Sequence, residues 1–372
     1  MRFGTVTDVQ PGICTVKVAG GEIPVIYLKG STPTKGEFVA VHRQGVVSYL
    51  LNPPTLGAVW AGDANLNGVW RVPTSGQDPI FYPISGLSVY GVVEGPDTAI
   101  YACGTTANGG GVARMVSKGT TIGQYTQQAL GSSASTSPVG VCVGSDGNLW
   151  VADSNGYAWK VTPELAGTSY AVAGGIPQAI CAGPDGNLWL ALANSSPTPG
   201  AVARMTTTGV GTSLTLTGSS PNAICLGPDS NVWVAASAID TEVDYPAVWQ
   251  VTPALAATRF ALPGPSPVAA AAPYSIATGS DSRLWTGGVP SGSTLSAVIW
   301  ATTAEGASDS YPIGAAGVVL PYYLCLGSDS AIWVSDSQSA APGVWKMTTN
   351  GQATNYPFPN ASASPSAICS GP

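Results

Sequence analysis

The sequence predicts an all-β chain: a seven-bladed β-propeller closed by its own C-terminal strand, preceded by a small five-stranded OB-like barrel. Three observations carry that prediction. A heptapeptide of the form Gly-x-Asp-x-x-apolar-Trp recurs about every 45 residues, and periods near 40 to 50 built of short strands mark propeller blades. The chain stops part-way through one such unit, whose remainder stands near residue 55. The first 52 residues hold five strand-like runs and no copy of the repeat. Composition agrees, because only 9% of residues are charged while Gly 47 and Pro 31 make up about a fifth of the 372. An average soluble domain is about 25% charged, so coiled coils, helical bundles and charge-rich tails are excluded.

The copies are Gly144-Ser-Asp-Gly-Asn-Leu-Trp150, Gly183 to Trp189, Gly227 to Trp233, Gly279 to Trp285 and Gly327 to Trp333, with Gly95 to Tyr101 a sixth. Gly57-Ala-Val-Trp60 reads as the second half of a seventh. Each unit reads as four strands: an inner one such as Gln178–Ala182, a second carrying Leu-Trp, a third such as Ala247–Val251 and a fourth such as Thr258–Leu262. Asp-Gly and Asp-Ser between apolar strands are hairpin chemistry, because the turn needs residues that tolerate positive φ. Ser366-Ala-Ile-Cys-Ser-Gly-Pro372 matches an inner strand and the start of its turn. That strand is expected to complete the blade begun at Thr55 to Trp60, so that no unpaired edge remains.

In residues 1–52 the runs Phe3 to Gln10, Ile13 to Ala19, Glu22 to Tyr27, Phe38 to Arg43 and Val46 to Leu51 are separated by Gly- and Pro-rich breaks. The expected organisation is barrel 1–52, a stiff Pro linker 53–54 and propeller 55–372. Charge marks the same boundary: five Lys/Arg and three Asp/Glu fall in the first part, eight and seventeen in the second. A net charge of -7 removes the basic footprint of a nucleic-acid partner. No apolar run is long enough for a membrane span and no secretory leader is evident at Met1, so synthesis and folding in the cytoplasm are expected.

The Gly-Pro-Asp-Gly-Asn-Leu-Trp units resemble the seven-bladed family that includes virginiamycin B lyase and the related NHL-type propellers, over most of residues 55–372. The first 52 residues look like the small N-terminal barrels of bacteriophage tail and baseplate proteins, notably minor tail proteins of phages infecting actinobacteria. Together the resemblances imply a virion component at the tail tip, docked on other tail or baseplate proteins through residues 1–52. The lyase chemistry of the family rests on a propeller histidine and glutamate with a magnesium ion. The single histidine here is His42, in the barrel, so the resemblance does not carry the activity over, and neither enzyme activity nor a cofactor is expected.

Eleven Trp invite a carbohydrate-binding reading, yet the repeat absorbs them. Trp60, Trp150, Trp189, Trp233, Trp285 and Trp333 take the second-strand anchor; Trp70, Trp159, Trp249 and Trp345 share one third-strand position, with Trp300 one residue beyond it. Burial between blades is expected for all. Cys142, Cys181, Cys225, Cys325 and Cys369 stand two residues before the repeat Gly, as small packing groups and not metal ligands. The turn Asp (Asp97, Asp146, Asp185, Asp229, Asp281, Asp329) is expected to cap its own turn. Arg71, Arg114, Lys160, Arg204 and Lys346 read as surface groups whose stems pack on the sheet. Asp63, Asp153 and Asp336 recur just after the anchor and are the residues a glycoside-cleaving carboxylate pair would need; their recurrence favours a structural role.

Outside the repeat, Asp240-Thr-Glu242-Val-Asp244-Tyr245 offers three carboxylates in five residues, a weak calcium candidate without an EF-hand pattern. Tyr274, Tyr322, Tyr323, Gln127, Gln128 and Asn194 are assigned to extended loops and stand with Asp240, Glu242, Asp244 and Tyr245 as ligand-binding candidates. The connections between strands one and two and between three and four are short and uniform. Those between two and three, and from each blade to the next, are long and varied, as at Gly131 to Pro138, Asn194 to Gly200, Pro263 to Pro273 and Gly314 to Pro321. Variation on a rigid scaffold marks the expected binding face, with the barrel joining at the other. Loops rich in Ser, Thr, Gly, Ala and Pro suit neutral host-surface glycans or glycolipids, bound through many copies or a homo-oligomer on one particle. The competing readings are a purely structural virion subunit and a lyase- or glycosidase-like enzyme.

Overall fold

The computed structural model describes residues 57–118, 121–131, 136–239, 246–263, 272–289, 297–314, 321–337 and 341–371, with backbone alone at 116–125. It also describes the backbones of five strands in the first 51 residues. Contacts divide the chain into two compact units, Met1–Gly57 with Pro372, and Ala58–Gly371. In the first, the strands Arg2–Gln10, Ile13–Val18, Gly21–Ile26, Phe38–Gln44 and Val47–Leu51 pair first with second and fourth, third with second and, in parallel, with fifth, and fourth with fifth. The expected linker at 53–54 lies outside the described residues.

The second unit is a seven-bladed propeller, seven antiparallel sheets of four strands each. Blades one to six run in sequence order over 88–129, 138–171, 176–215, 219–261, 272–313 and 324–357. The closing blade joins Pro365–Gly371 to Ala58–Asp63, Gly68–Pro73 and Ile80–Pro83. At this seam Cys369 stands opposite Trp60, and Ile368 opposite Ala61. Asp63 ties it from the side: one carboxylate oxygen accepts the backbone N–H groups of Asn65, Leu66 and Ser364 at 3.0, 2.9 and 3.2 Å.

Six of the seven blades are held by the chemistry of one turn, all but the closing one. The fourth residue of the repeat has positive φ in every copy described: Thr98, Gly147, Gly186, Ser230, Ser282 and Ser330. The turn Asp caps the N–H two residues on, as expected, at 3.1 to 3.3 Å. It also does something the pattern alone does not announce. The same Asp oxygen accepts the indole N–H of the anchor at 3.2 Å for Trp150 and 3.0 Å for Trp189, Trp233, Trp285 and Trp333. Tyr101 donates its hydroxyl to Asp97 in the same place.

The repeat cations are not merely surface stems. Facing away from the third-strand ring, Arg71, Arg114, Lys160 and Lys346 lie over the second-strand ring of their own blade, and all the repeat cations but Arg71 reach its Asp. Lys160 pairs with Asp146 and Lys346 with Asp329, both at 2.8 Å, Arg204 stands 3.8 Å from Asp185, and Arg114 pairs closely with Asp97. Lys160 and Lys346 sit 5.8 Å from the centres of Trp150 and Trp333. Blade four uses a neutral donor, Gln250, on Asp229. In the closing blade Arg71 lies over Trp60 without an ion pair among the described residues, and burial lowers its pKa.

The anchors themselves are fully buried against the next blade: Trp150 against Ile180, Leu188 and Leu190, and Trp233 against Ile276, Leu284 and Trp300. Each contributes roughly 1.5 to 3 kcal/mol of transfer energy. Outer-strand rings lie beside them, Tyr170 at 5.5 Å from Trp150 and Phe260 at 5.5 Å from Trp233. Gly209 of the next blade, with φ +89, closes over Tyr170, where a Cβ would stand 2.1 Å from the ring. The third-strand rings form a second set in which Trp300 is a full member; only Trp70 and Trp300 of this set are buried, whereas Trp159, Trp249 and Trp345, expected to be buried, are half-buried. Trp300 pairs opposite Thr286, the residue after the anchor, as Trp70, Trp159, Trp249 and Trp345 pair opposite Ala61, Val151, Val234 and Val334. The one-residue offset read from spacing is therefore absent.

Burial alone would raise the turn carboxylates, but the indole, backbone and cation hydrogen bonds outweigh it and hold Asp97, Asp146, Asp185, Asp229 and Asp281 below the ordinary 3.8. A depressed native pKa contributes stability that is present above the unfolded value and lost as pH falls through the native one. The melting temperature is therefore expected to hold down to about pH 4 and to drop below it. Asp185→Asn should lower the melting temperature at pH 7 and flatten the acid limb, as read by calorimetry between pH 2 and 7.

Candidate functional site

The seven inner strands converge on the axis, and all but that of blade six share one irregularity in their pairing. Six inner segments carry Pro at the same place: Pro138, Pro177, Pro221, Pro273, Pro321 and Pro365. Proline gives the ladder no N–H, and in four of these blades and the closing one the pairing skips a residue just after or beside it. In blade one the skipped residue is Tyr90. A bulge leaves its extra residue unpaired and re-aims the side chain. The result is a ring of one residue per blade: Tyr90, Val139, Gln178, Asn222, Tyr274, Tyr322 and Ser366. It lies at the strand ends fed by the long, varied connections.

Six of these residues, with Gly91, Gly140, Ala179, Ala223, Ser275 and Tyr323 one step deeper, line an axial cavity of about 420 Å³. Tyr274 and Tyr322 meet edge to face at 5.0 Å and 70°. Asn222 Nδ2 donates to Ser237 Oγ at 2.7 Å and to the Pro273 carbonyl at 2.8 Å, which fixes its rotamer and its amide orientation. Gln178 Nε2 donates to the Ile176 carbonyl at 3.3 Å, and Ser366 Oγ donates to the Val89 carbonyl. Tyr323 fills the deeper ring with the one large side chain there; burial, with Cys103, Tyr322 and Tyr90 nearby, pushes its phenol up to about 12. Burial beside Tyr274 likewise raises Tyr322. The mouth thus presents neutral donors and acceptors at pH 7. The one carboxylate on an inner strand is Glu94, at the opposite end.

The candidates drawn from sequence are divided by this geometry. Tyr274, Tyr322 and Tyr323 come together at the cavity, Tyr274 not from a loop but from the inner strand Ala272–Thr278. Gln127 and Gln128 sit not in a loop but on the outermost strand of blade one, paired with Ala113 and Val112. Asn194 does occupy a varied connection, yet its Nδ2 holds that loop together through the Pro199 and Gly174 carbonyls at 2.8 and 3.3 Å. Asp240, Glu242, Asp244 and Tyr245, and with them the calcium candidate, lie outside the described residues. Asp63, Asp153 and Asp336 are wholly buried, accepting indole N–H groups from Trp70, Trp159 and Trp345 at 2.8, 3.1 and 3.1 Å. They belong to the framework, which removes the glycoside-cleaving reading of these three. Spacing misses Tyr90, Gln178, Asn222 and Ser366, although a signal exists: each occupies the residue five before the repeat Gly.

Blades repeated in this way have relatives. The family model described as the Virginiamycin B lyase family matches residues 35–263 and again 168–372, two overlapping placements that a repeating chain permits. The chain belongs to the virginiamycin B lyase family. Its fold is similar to that of a catalytically inactive histidine-to-alanine virginiamycin B lyase from Staphylococcus aureus solved with quinupristin, at 21% identity and TM-score 0.64 over 76% of this chain and 89% of that one. A streptogramin B lyase structure matches at 20% and 0.64 over 84% and 91%. A putative 6-phosphogluconolactonase from Bacteroides uniformis matches at 12% and 0.61 over 84% and 98%. A search of curated proteins found no match.

The lyase family implies a magnesium ion, and the donors at this mouth do not fit one. Magnesium takes carboxylates in octahedral geometry, whereas the ring offers phenols, amides and a hydroxyl. Among the described residues no group of three or more His, Cys, Asp and Glu stands together. His42, the only histidine in the chain, lies in the first unit.

The layer behind the cavity holds the thiols. Burial pushes Cys103, Cys142 and Cys225 up to about 12 and raises Cys181, Cys325 and Cys369 as well. The thiolate is the nucleophile, so these cysteines should resist iodoacetamide in the native protein at pH 8. All six should react together once the protein unfolds, as mass spectrometry of alkylated peptides along a urea series would show.

Proposed function

We propose that this chain is a non-catalytic attachment protein of a bacteriophage tail tip. Residues 1–52, an OB-like barrel, dock on other tail or baseplate proteins, while the propeller binds neutral glycan or glycolipid on the host surface. Several copies on one particle multiply a weak single-site affinity. The observation that carries the non-catalytic part is the neutral lining of the axial mouth, in a propeller sequence with no histidine. General acid–base chemistry near neutral pH needs a group that titrates there. Burial raises the Tyr322 and Tyr323 phenols still further from that range, and the three recurring carboxylates are committed to indole N–H groups. The resemblance of residues 1–52 to phage tail barrels supports the assembly role.

Pull-down of the full chain on host cell walls, with competition by purified wall polysaccharide, tests the reading. Retention without any change in the polysaccharide is expected. Polysaccharide depolymerised by the protein would make it an enzyme. Absence of retention, with particles that fail to assemble when the varied connections are shortened, would make it a structural subunit.

A further inference from the structure

Resting on the attachment reading, and sharpening it, we propose that the axial mouth is a socket for a single neutral pyranose, the terminal sugar of a glycan, inserted end-on.

Seven positions around the axis are equivalent in backbone height because each is the same repeat position, so their order is the order of the blades. Read round the ring they are Tyr274, Tyr322, Ser366, Tyr90, Val139, Gln178 and Asn222. Three phenols fall in four neighbouring blades and form one arc. The two amides are adjacent in the arc facing them. A pyranose has that same two-sided character: a face of C–H groups that stacks on aromatic rings, and a rim of hydroxyls that an amide contacts by donating and accepting at once.

Asn222 sharpens the match. Of the two acceptors its Nδ2 bonds, the Pro273 carbonyl can only accept, so the amide orientation is set and Oδ1 is the atom left for a ligand. Gln178 has one N–H engaged, which leaves a donor and an acceptor. Both arcs are held before a ligand arrives, Asn222 by two hydrogen bonds and Tyr274 by Tyr322. Little ordering then remains to be done on binding.

Enclosure decides the mode of insertion. The cavity is ringed by residues of all seven blades and measures about 420 Å³, near the lower end of small-ligand sites. A polysaccharide cannot lie through a closed wall, so only its end enters. Tyr323 narrows the ring below. The lining also decides charge: no Lys or Arg stands among the cavity residues to pair a uronate, sialate or phosphate, and burying an unpaired charge is costly.

The test is titration of the full chain with methyl hexopyranosides, N-acetylglucosamine and glucuronate, by calorimetry and saturation-transfer NMR, alongside the cell-wall pull-down. Millimolar binding of at least one neutral sugar is expected, with glucuronate at least tenfold weaker. Tyr322→Ala and Asn222→Ala should each weaken that sugar about tenfold with an unchanged melting temperature, while Val210→Ser, an exposed position away from the axis, should change nothing. Should either variant lower the melting temperature, the more conservative Gln178→Glu, which places a charge in the mouth, should still weaken the sugar in a stable protein. Glucuronate bound as well as the neutral sugars, or variants without effect, would overturn the socket. Walls retained but not displaced by any monosaccharide would sink the socket and leave attachment standing; a sugar bound without wall retention would do the reverse.

Discussion

A carboxylate accepting an indole N–H, repeated around an axis, is the interaction on which this molecule rests. The turn Asp spans three demands at once, as Asp146 does: it caps its hairpin, orients the anchor Trp, and balances the cation lying over that ring. Orienting the Trp fixes which face of each blade meets its neighbour, and hence the angle at which blades splay from the axis. None of these groups is individually strong; a partly exposed ion pair is worth about 0.2 to 1 kcal/mol. Their value lies in making every blade alike, so that seven sheets meet without a gap.

Alike blades put alike residues at alike heights, which is how a site arises here without any dedicated loop. A bulge at the mouth of six inner strands, beside a proline in five of them, releases one side chain per blade toward the axis. The framework constrains the neighbours on either side of that residue and leaves the residue itself free. Variation is therefore concentrated there: Tyr, Val, Gln, Asn, Tyr, Tyr and Ser at seven equivalent places. The recurring carboxylates and tryptophans, which look like chemistry when only their types are counted, are absorbed by packing, whereas the least repetitive position faces the cavity.

Much of this is legible without coordinates. Anchor, turn and period announce the propeller, and the half-unit at Ser366 to Pro372 announces the seam. Legibility fails where a residue's role depends on the register of a strand and not on its spacing. Spacing sets Trp300 one place out because the third strand of its blade, Ala297–Thr302, begins one residue earlier relative to the ring than its counterparts. Gln127 and Gln128 read as loop because their strand, Thr121–Ala129, is long and polar. The second role of the turn Asp is hidden because indole donation is not a spacing rule. Tyr90, Gln178 and Asn222 escape notice because a search for repeats discards the positions that do not repeat.

Closure of the ring is the condition for a shared axis, and therefore for any site on it. The seam between 58–63 and 365–371 joins residues about 300 apart in sequence, and it is the one blade whose assembly waits for the whole chain. Native-state hydrogen exchange on the full protein measures it directly. The amides of Val59, Ala61, Ile368 and Cys369 should exchange in the same slow class as those of Leu190 and Val234 in blades three and four, through one common opening. A seam whose amides exchange orders of magnitude faster, while those inner blades stay protected, would contradict a closed ring.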